Sequence, residues 1–217
     1  MSASSGAHLP ARACGRPLDA DSARSMERHT MRLAPALVAT AMTVTALVVV
    51  PAAPAFADER VCRGSLGAVT VDNLRVPSGA SCTLDRTTVK GTLKIETGAS
   101  LVATGIRVVG NVQGEGSRSV RVTGAVVGGS VQIKQGGAAS VVTTRVNGDI
   151  QYDEMTQALR ADSNVVGGNI QVVKNFGGVA INSNRIDGAL QCKENRPAPT
   201  GRGNVAGEGK EGQCRAL

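Results

Sequence analysis

The chain has no tryptophan, one tyrosine and two phenylalanines among its 217 residues. Its two histidines, His8 and His29, both lie close to the amino end, and from residue 58 onward there is none. Beyond that point the aromatic residues reduce to Tyr152 and Phe176. Without histidine, neither a Ser-His-Asp nor a Cys-His nucleophilic centre can be assembled there, nor a usual zinc site. No phosphate-binding loop is present, since the run Gly114-Glu-Gly-Ser117 lacks the rest of any nucleotide fingerprint. The aspartates that calcium-binding nonapeptide repeats need in their glycine turns are missing too. No cofactor, no metal and no nucleic-acid partner is expected.

The first 57 residues read as a leader. Met26-Glu-Arg-His-Thr-Met-Arg is a basic start, Leu33 to Val50 an apolar run, and Ala55-Phe-Ala57 a small-x-small cleavage pattern. The apolar run is long enough to be weighed as a membrane anchor. Its many Ala and Thr, and the prolines after it, favour a removed signal over residues 26–57, with cleavage before Asp58. Residues 1–25 carry no pattern and read as a mis-assigned start or a disordered extension. The mature chain is expected to be secreted, with no stable membrane insertion, and monomeric. From Asp58 on, 19 Lys and Arg face 14 Asp and Glu, a net charge near +5.

Four cysteines remain after the leader: Cys62, Cys82, Cys192 and Cys214. An even number in an exported chain reads as two disulfides.

The dominant positive feature is a repeat. Gly91, Gly110, Gly129, Gly148, Gly168, Gly188 and Gly207 recur every 19 or 20 residues, each with an aliphatic residue two positions earlier (Val89, Val108, Val127, Val146, Val166, Ile186, Val205). The first six have another two positions later, from Leu93 to Leu190, and five then place Gln next: Gln113, Gln132, Gln151, Gln171 and Gln191. A period of this length marks a solenoid, in which each coil buries its core only against its neighbours. Apolar and polar residues alternate inside each repeat, the signature of strands with one buried face. One inward pair follows the glycine, such as Ile170 and Val172. A second precedes the next glycine by nine and seven residues, such as Val179 and Ile181.

The expected fold is therefore all-β: a single-domain parallel β-helix with three short strands per coil, triangular in section. About seven coils span residues 72–206, between an N-terminal cap at 58–71 and a C-terminal cap segment at 207–217. Stacked Val, Ile, Leu and Ala fill so thin a core better than rings do, and the glycines are expected to supply turns at positive φ. Seven coils at ~4.8 Å extend roughly 30 Å, beyond the reach of a disulfide. The expected pairings are therefore local, Cys62 with Cys82 and Cys192 with Cys214, one staple at each end.

Two resemblances follow. Coils of 19 and 20 residues break the six-residue rule of left-handed helices, and the pattern resembles right-handed β-helices of the bactofilin type. The run Gly188-Ala-Leu-Gln-Cys192-Lys-Glu-Asn-Arg-Pro197-Ala-Pro-Thr-Gly201, closing with Lys210-Glu-Gly-Gln-Cys214, resembles a recurring ending of small secreted actinobacterial proteins. Neither likeness carries over a catalytic residue.

Few residues remain that could carry chemistry. Asp149, Asp153, Glu154, Asp162 and Asp187 fall in adjacent coils, and a glycosidase needs two carboxylates across a bound sugar. The coils vary by only one residue, however, which leaves no long loops to wall a cleft. The Gln row reads either as a stacked amide ladder or as a flat polar surface for glycan hydroxyls. An ice-binding face would need regular Thr rows, and four positions before the glycine the sequence reads Thr87, Ile106, Ala125, Thr144, Asn164, Asn184. Three positions before it stand Thr88, Arg107, Val126, Arg145, Val165 and Arg185. Arginine in every second coil, about 9.6 Å apart, would suit an anionic cell-wall polymer or polysaccharide; the plainer reading is like charges spaced along a solvated edge. The first expectation is thus a non-catalytic binding or structural module at or near the bacterial envelope, with Arg107, Arg145 and Arg185 as binding residues. The alternatives are a small polysaccharide-acting lyase or hydrolase using the central carboxylates, and a self-assembling bactofilin-like scaffold.

Overall fold

The computed structural model describes residues 58–217. The expectations for the leader (the extension 1–25, the signal 26–57 and the apolar run Leu33 to Val50) lie outside the described residues.

Alternating small apolar residues with turn residues at fixed offsets produce short strands, none longer than five residues, and no helix among the described residues. All strand pairs are parallel, and they stack into three sheets of nine, eight and eight strands. Sheet 1 begins with Glu59–Val61, Asn73–Val76 and Leu93–Ile95 and ends with Lys210–Gly212. Sheet 2 runs from Gly64–Leu66 to Thr200–Arg202, and sheet 3 from Thr70–Val71 to Val205–Ala206. The chain visits sheets 1, 2 and 3 in turn, so one circuit is one coil and about eight coils are stacked.

That is one coil more than the repeat suggests. Residues 58–71, expected as a cap, form coil 1: Val61 pairs with Arg75, Leu66 with Leu84 and Val71 with Val89. At the other end, Lys210–Gly212 continues sheet 1 against Leu190, Gln191 and Cys192. Both segments lack the repeating glycine, yet their backbone groups need partners, and a neighbouring strand supplies them. The last coil also shifts register. Arg185 pairs with Val205 and Ile186 with Ala206, so Glu208, not Gly207, sits beside Gly188. Val205, expected inward, is 65% exposed.

Elsewhere the faces follow the alternation. Both inward pairs and the third-side aliphatics are buried along the stack, among them Leu93, Ile95, Leu101, Val127, Ile150, Ile170 and Ile181. The repeating glycines have a different role from the one expected of them. Gly91, Gly110 and Gly129 are not at positive φ. They lie one above another, Gly110 donating to the Gly91 carbonyl at 3.0 Å and Gly129 to the Gly110 carbonyl at 2.9 Å. A Cβ on Gly110 would stand 2.7 Å from the Gly91 oxygen. Close approach selects glycine there.

The non-glycine residues at positive φ sit at the corner after sheet 1 and the corner after sheet 2. Glu154 (φ 55), Lys174 (φ 52) and Glu194 (φ 57) occupy the first, and Thr143 (φ 50), Ser163 (φ 54) and Ser183 (φ 54) the second. The left-handed residue swings the next side chain into the core, and from coil 6 onward that side chain is repeatedly asparagine: Asn164, Asn184 and Asn204 at one corner, Asn175 and Asn195 at the other, all buried. Asn184 shows the pattern. Its Oδ1 accepts from the Asn164 backbone N–H at 3.0 Å and the Asn164 Nδ2 at 2.9 Å, while its own Nδ2 donates to Ala161 O and Asn204 Oδ1. All four hydrogen-bonding positions of the amide are used.

Both ends are finished covalently. Cys62 is bonded to Cys82 and Cys192 to Cys214, with Cα atoms 5.8 and 5.2 Å apart. Each bridge ties an outermost coil to its neighbour, as the local pairing expects. At the carboxyl end the Gln213 side chain closes one asparagine ladder by accepting from Asn195 and donating to its carbonyl. Lys210 Nζ donates to the carbonyls of Asn204 and Leu217.

Candidate functional site

Three outward faces are available, one per sheet. On sheet 1 the glutamines align in register, Gln113 to Gln132 to Gln151 to Gln171 to Gln191. Only one rung is hydrogen-bonded, Gln132 Nε2 to Gln151 Oε1 at 3.3 Å. The amide ladders that stack fully are the buried asparagines, and one of the two, through Asn164 and Asn184, runs along the four-before position. That row (Thr87, Ile106, Ala125, Thr144, Asn164 and Asn184) is buried throughout, so it cannot serve as an outer face of any kind. Its inward turn follows from the positive φ of the preceding residue, a conformation that period-2 counting does not anticipate.

The carboxylates are distributed over several faces. Asp149 Oδ1 accepts from the Asn169 backbone at 2.7 Å and from its side chain. Asp162 does the same for Asn182 at 3.1 and 3.0 Å, at the end of a sheet 2 strand. Glu154, at a corner, accepts from Gln135 Nε2 at 3.0 Å with Lys174 Nζ 3.9 Å away. Asp153 is half-buried on sheet 1 and Asp187 exposed beyond sheet 3. Asp149 and Asp162 are therefore backbone caps between coils. Tyr152, which follows Gln151 in register, is fully buried and offers no ring to a sugar. Among the described residues no three His, Cys, Asp or Glu side chains converge.

The arginine row is intact. Thr88, Arg107, Val126, Arg145, Val165, Arg185 and Val205 are register partners along sheet 3. Arg107, Arg145 and Arg185 are exposed, and among the described residues none of the three is in an ion pair. Contrast Arg75 on sheet 1, held by Glu59 at 2.7 Å and Glu96 at 3.4 Å, where these acidic partners raise its pKa. The sheet 3 arginines have no such partner to neutralise them. Alternating valines, 38% exposed at Val126, separate them, so the row is a flat strip with a free cation at every second coil.

Sheet 2 carries further cations that reading backward from the glycine at minus three does not reach. Arg121, Ser140 and Arg160 are register partners in its central outward row. Comparison of the chain with protein-family models, with curated proteins and with solved structures finds no match.

Proposed function

We propose that this protein is an exported, non-catalytic β-helix that binds a linear anionic polymer at or near the bacterial cell envelope. The observation that carries the reading is the strip of sheet 3, where Arg107, Arg145 and Arg185 stand exposed and without acidic partners, two coils apart. That pitch, about 9.6 Å, offers repeated contacts to a repeating polyanion, and the rigid stack fixes it in advance, so little ordering entropy is lost on binding. The two disulfides support an oxidising compartment, and the leader pattern upstream of Asp58 agrees with it. The coil of three sheets and the ending from Gly188 to Cys214 support a place among small exported actinobacterial proteins, with the right-handed, triangular winding of the bactofilin type. Finished ends speak for a monomer over a scaffold that grows by end-to-end stacking.

The direct experiment is a binding screen of the disulfide-bonded protein against cell-wall polymers and polysaccharides, reading both retention and released fragments at two salt concentrations. Retention that weakens between low and high salt, with no fragments released, is the expected result, because exposed charges are screened within ~10 Å at 0.1 M. Fragment release would replace this reading with the enzymatic one.

A further inference from the structure

Taken coil by coil, the arginines of sheets 2 and 3 interleave. Arg107 belongs to coil 3 on sheet 3, Arg121 to coil 4 on sheet 2, Arg145 to coil 5 on sheet 3, Arg160 to coil 6 on sheet 2 and Arg185 to coil 7 on sheet 3. Each of five consecutive coils thus supplies one arginine, alternating across the corner where the two sheets meet. On the same strands of those coils and the turns after them, the carboxylates are Asp149, Asp162 and Asp187, and Asp149 is committed to Asn169. Asp162 is committed to Asn182 and to Arg160.

Between Arg121 and Arg160 the surface of sheet 2 dips into a shallow groove floored by small residues: Ala138, Ser140, Val142, Ala158 and Ala180. Ser140 stands midway in the row, one strand from each arginine. The two arginines are about 9.6 Å apart along the backbone, a gap that their long side chains can close by leaning together. Arg160 is already oriented, since its Nε donates to Asp162 Oδ2 and both terminal nitrogens remain for another acceptor. Arg121 has no ion-pair partner among the described residues.

We infer that Arg121, Ser140 and Arg160 form a seat for a tetrahedral oxyanion, a phosphate or sulfate ester group carried on a linear polymer. The linear ligand rests on the polyanion reading above; the seat rests on the sheet 2 groove alone. Two guanidinium forks approaching from opposite sides, with a hydroxyl beneath, match oxygens that point in separate directions. A planar carboxylate offers two oxygens on one edge and satisfies only one fork well. The face carries no aromatic side chain, so it lacks the stacking platforms of single-stranded nucleic acid sites.

The test is calorimetric titration of the disulfide-bonded protein with dextran sulfate and with inorganic polyphosphate, against polygalacturonate and polyadenylate matched in charge. The sulfate and phosphate polymers should bind at least about tenfold more tightly than polygalacturonate, the scale of one charge-assisted hydrogen bond. Arg121→Lys/Arg160→Lys keeps the charge and removes the forks, and should lose about tenfold or more. Ser140→Asp fills the seat with a carboxylate and should abolish binding there with an unchanged melting curve, which guards against a folding defect in the arginine pair. Equal binding of the lysine variant, equal affinity for polygalacturonate, or tighter binding of polyadenylate would overturn the seat. Loss of binding on changing Arg107, Arg145 and Arg185 to Gln, with none in the sheet 2 variants, overturns the seat and leaves the broader reading standing. Loss in the sheet 2 variants alone supports the seat and removes sheet 3 from the site.

Discussion

The Tyr152 hydroxyl donates a 2.8 Å hydrogen bond to the main-chain carbonyl of Arg160, crossing the core from sheet 1 to sheet 2 within one coil. The ring is fully buried, and burial pushes its phenol well above the ordinary range, so the proton stays where the bond needs it. Tyr152→Phe leaves the carbonyl of Arg160 without that donor and should cost about 1–2 kcal/mol. Tyr152→Ala adds a cavity and should cost about 3–5 kcal/mol. Denaturant unfolding measures both; a Phe variant as stable as the parent would show that the hydroxyl holds nothing.

The buried asparagines and the surface glutamines are both stacked amides, yet they should behave oppositely. Asn184→Ala strands the backbone N–H and the side-chain amide of Asn164 and frees an acceptor at Ala161. Buried polar groups left unpaired cost about 1–3 kcal/mol each, so this variant should lose at least about 3 kcal/mol. Gln171→Ala, on the outer face, should change stability by less than about 0.5 kcal/mol. Comparable losses at the two sites would mean that the inner and outer rows have been exchanged.

Two glycines separate close approach from turn conformation. A Cβ on Gly129 would lie 2.9 Å from the Gly110 carbonyl oxygen, whereas Gly124 has φ 63 and open space around it. Gly124→Ala should cost about 1–2 kcal/mol for the left-handed conformation, and Gly124→Asn less, because Asn tolerates that region. At Gly129 both substitutions should be damaging, since a Cβ there meets Asn111 Oδ1, which is held by the Ser130 N–H, as well as main chain. Thermal melting of the four variants gives the comparison, and rescue of Gly129 by Asn would contradict it.

Acid should weaken the amino end first. Glu96 accepts from the Ser78 backbone at 2.9 Å and from its hydroxyl at 3.1 Å; with Arg75 nearby, these hold its carboxyl below the ordinary 4.5. A depressed carboxylate contributes stability above that ordinary value and loses it as pH falls through the lower, folded value. Glu96→Gln should therefore flatten the acid limb of the stability curve below about pH 4.5 and leave the region near neutrality little changed. An unaltered acid limb would remove Glu96 from the account.

Much of this fold is legible in the sequence because each coil repeats the same burial problem. The inward pairs and the outward Gln and Arg rows follow from counting relative to the glycine, and both disulfides from the length of the stack. What counting misses has identifiable causes. Residues 58–71 form a coil without the repeating glycine, because strand pairing tolerates its loss at the end of the described stack. Asn184 looks like a surface turn residue until Ser183, at φ 54, turns it inward. Gly207 keeps the sequence phrase while the backbone slips by one, with Asn204 aligned beneath Asn184. Arg121 and Arg160 were within reach: each stands eight residues before a glycine, between the two inward residues of its strand.

The central claim is that exposed arginines bind a polyanion, and the most direct measurement is the affinity of Arg107→Gln/Arg145→Gln/Arg185→Gln for the polymer the parent binds, at low and high salt, beside its melting temperature. The account predicts that most of the affinity and its salt dependence disappear while the melting temperature stays nearly unchanged, because surface positions away from caps and core contribute within about 0.5 kcal/mol. It predicts further that Asp153→Asn/Glu154→Gln binds as well as the parent or better. A triple variant that binds as tightly as the parent, or parent binding indifferent to salt, would contradict it.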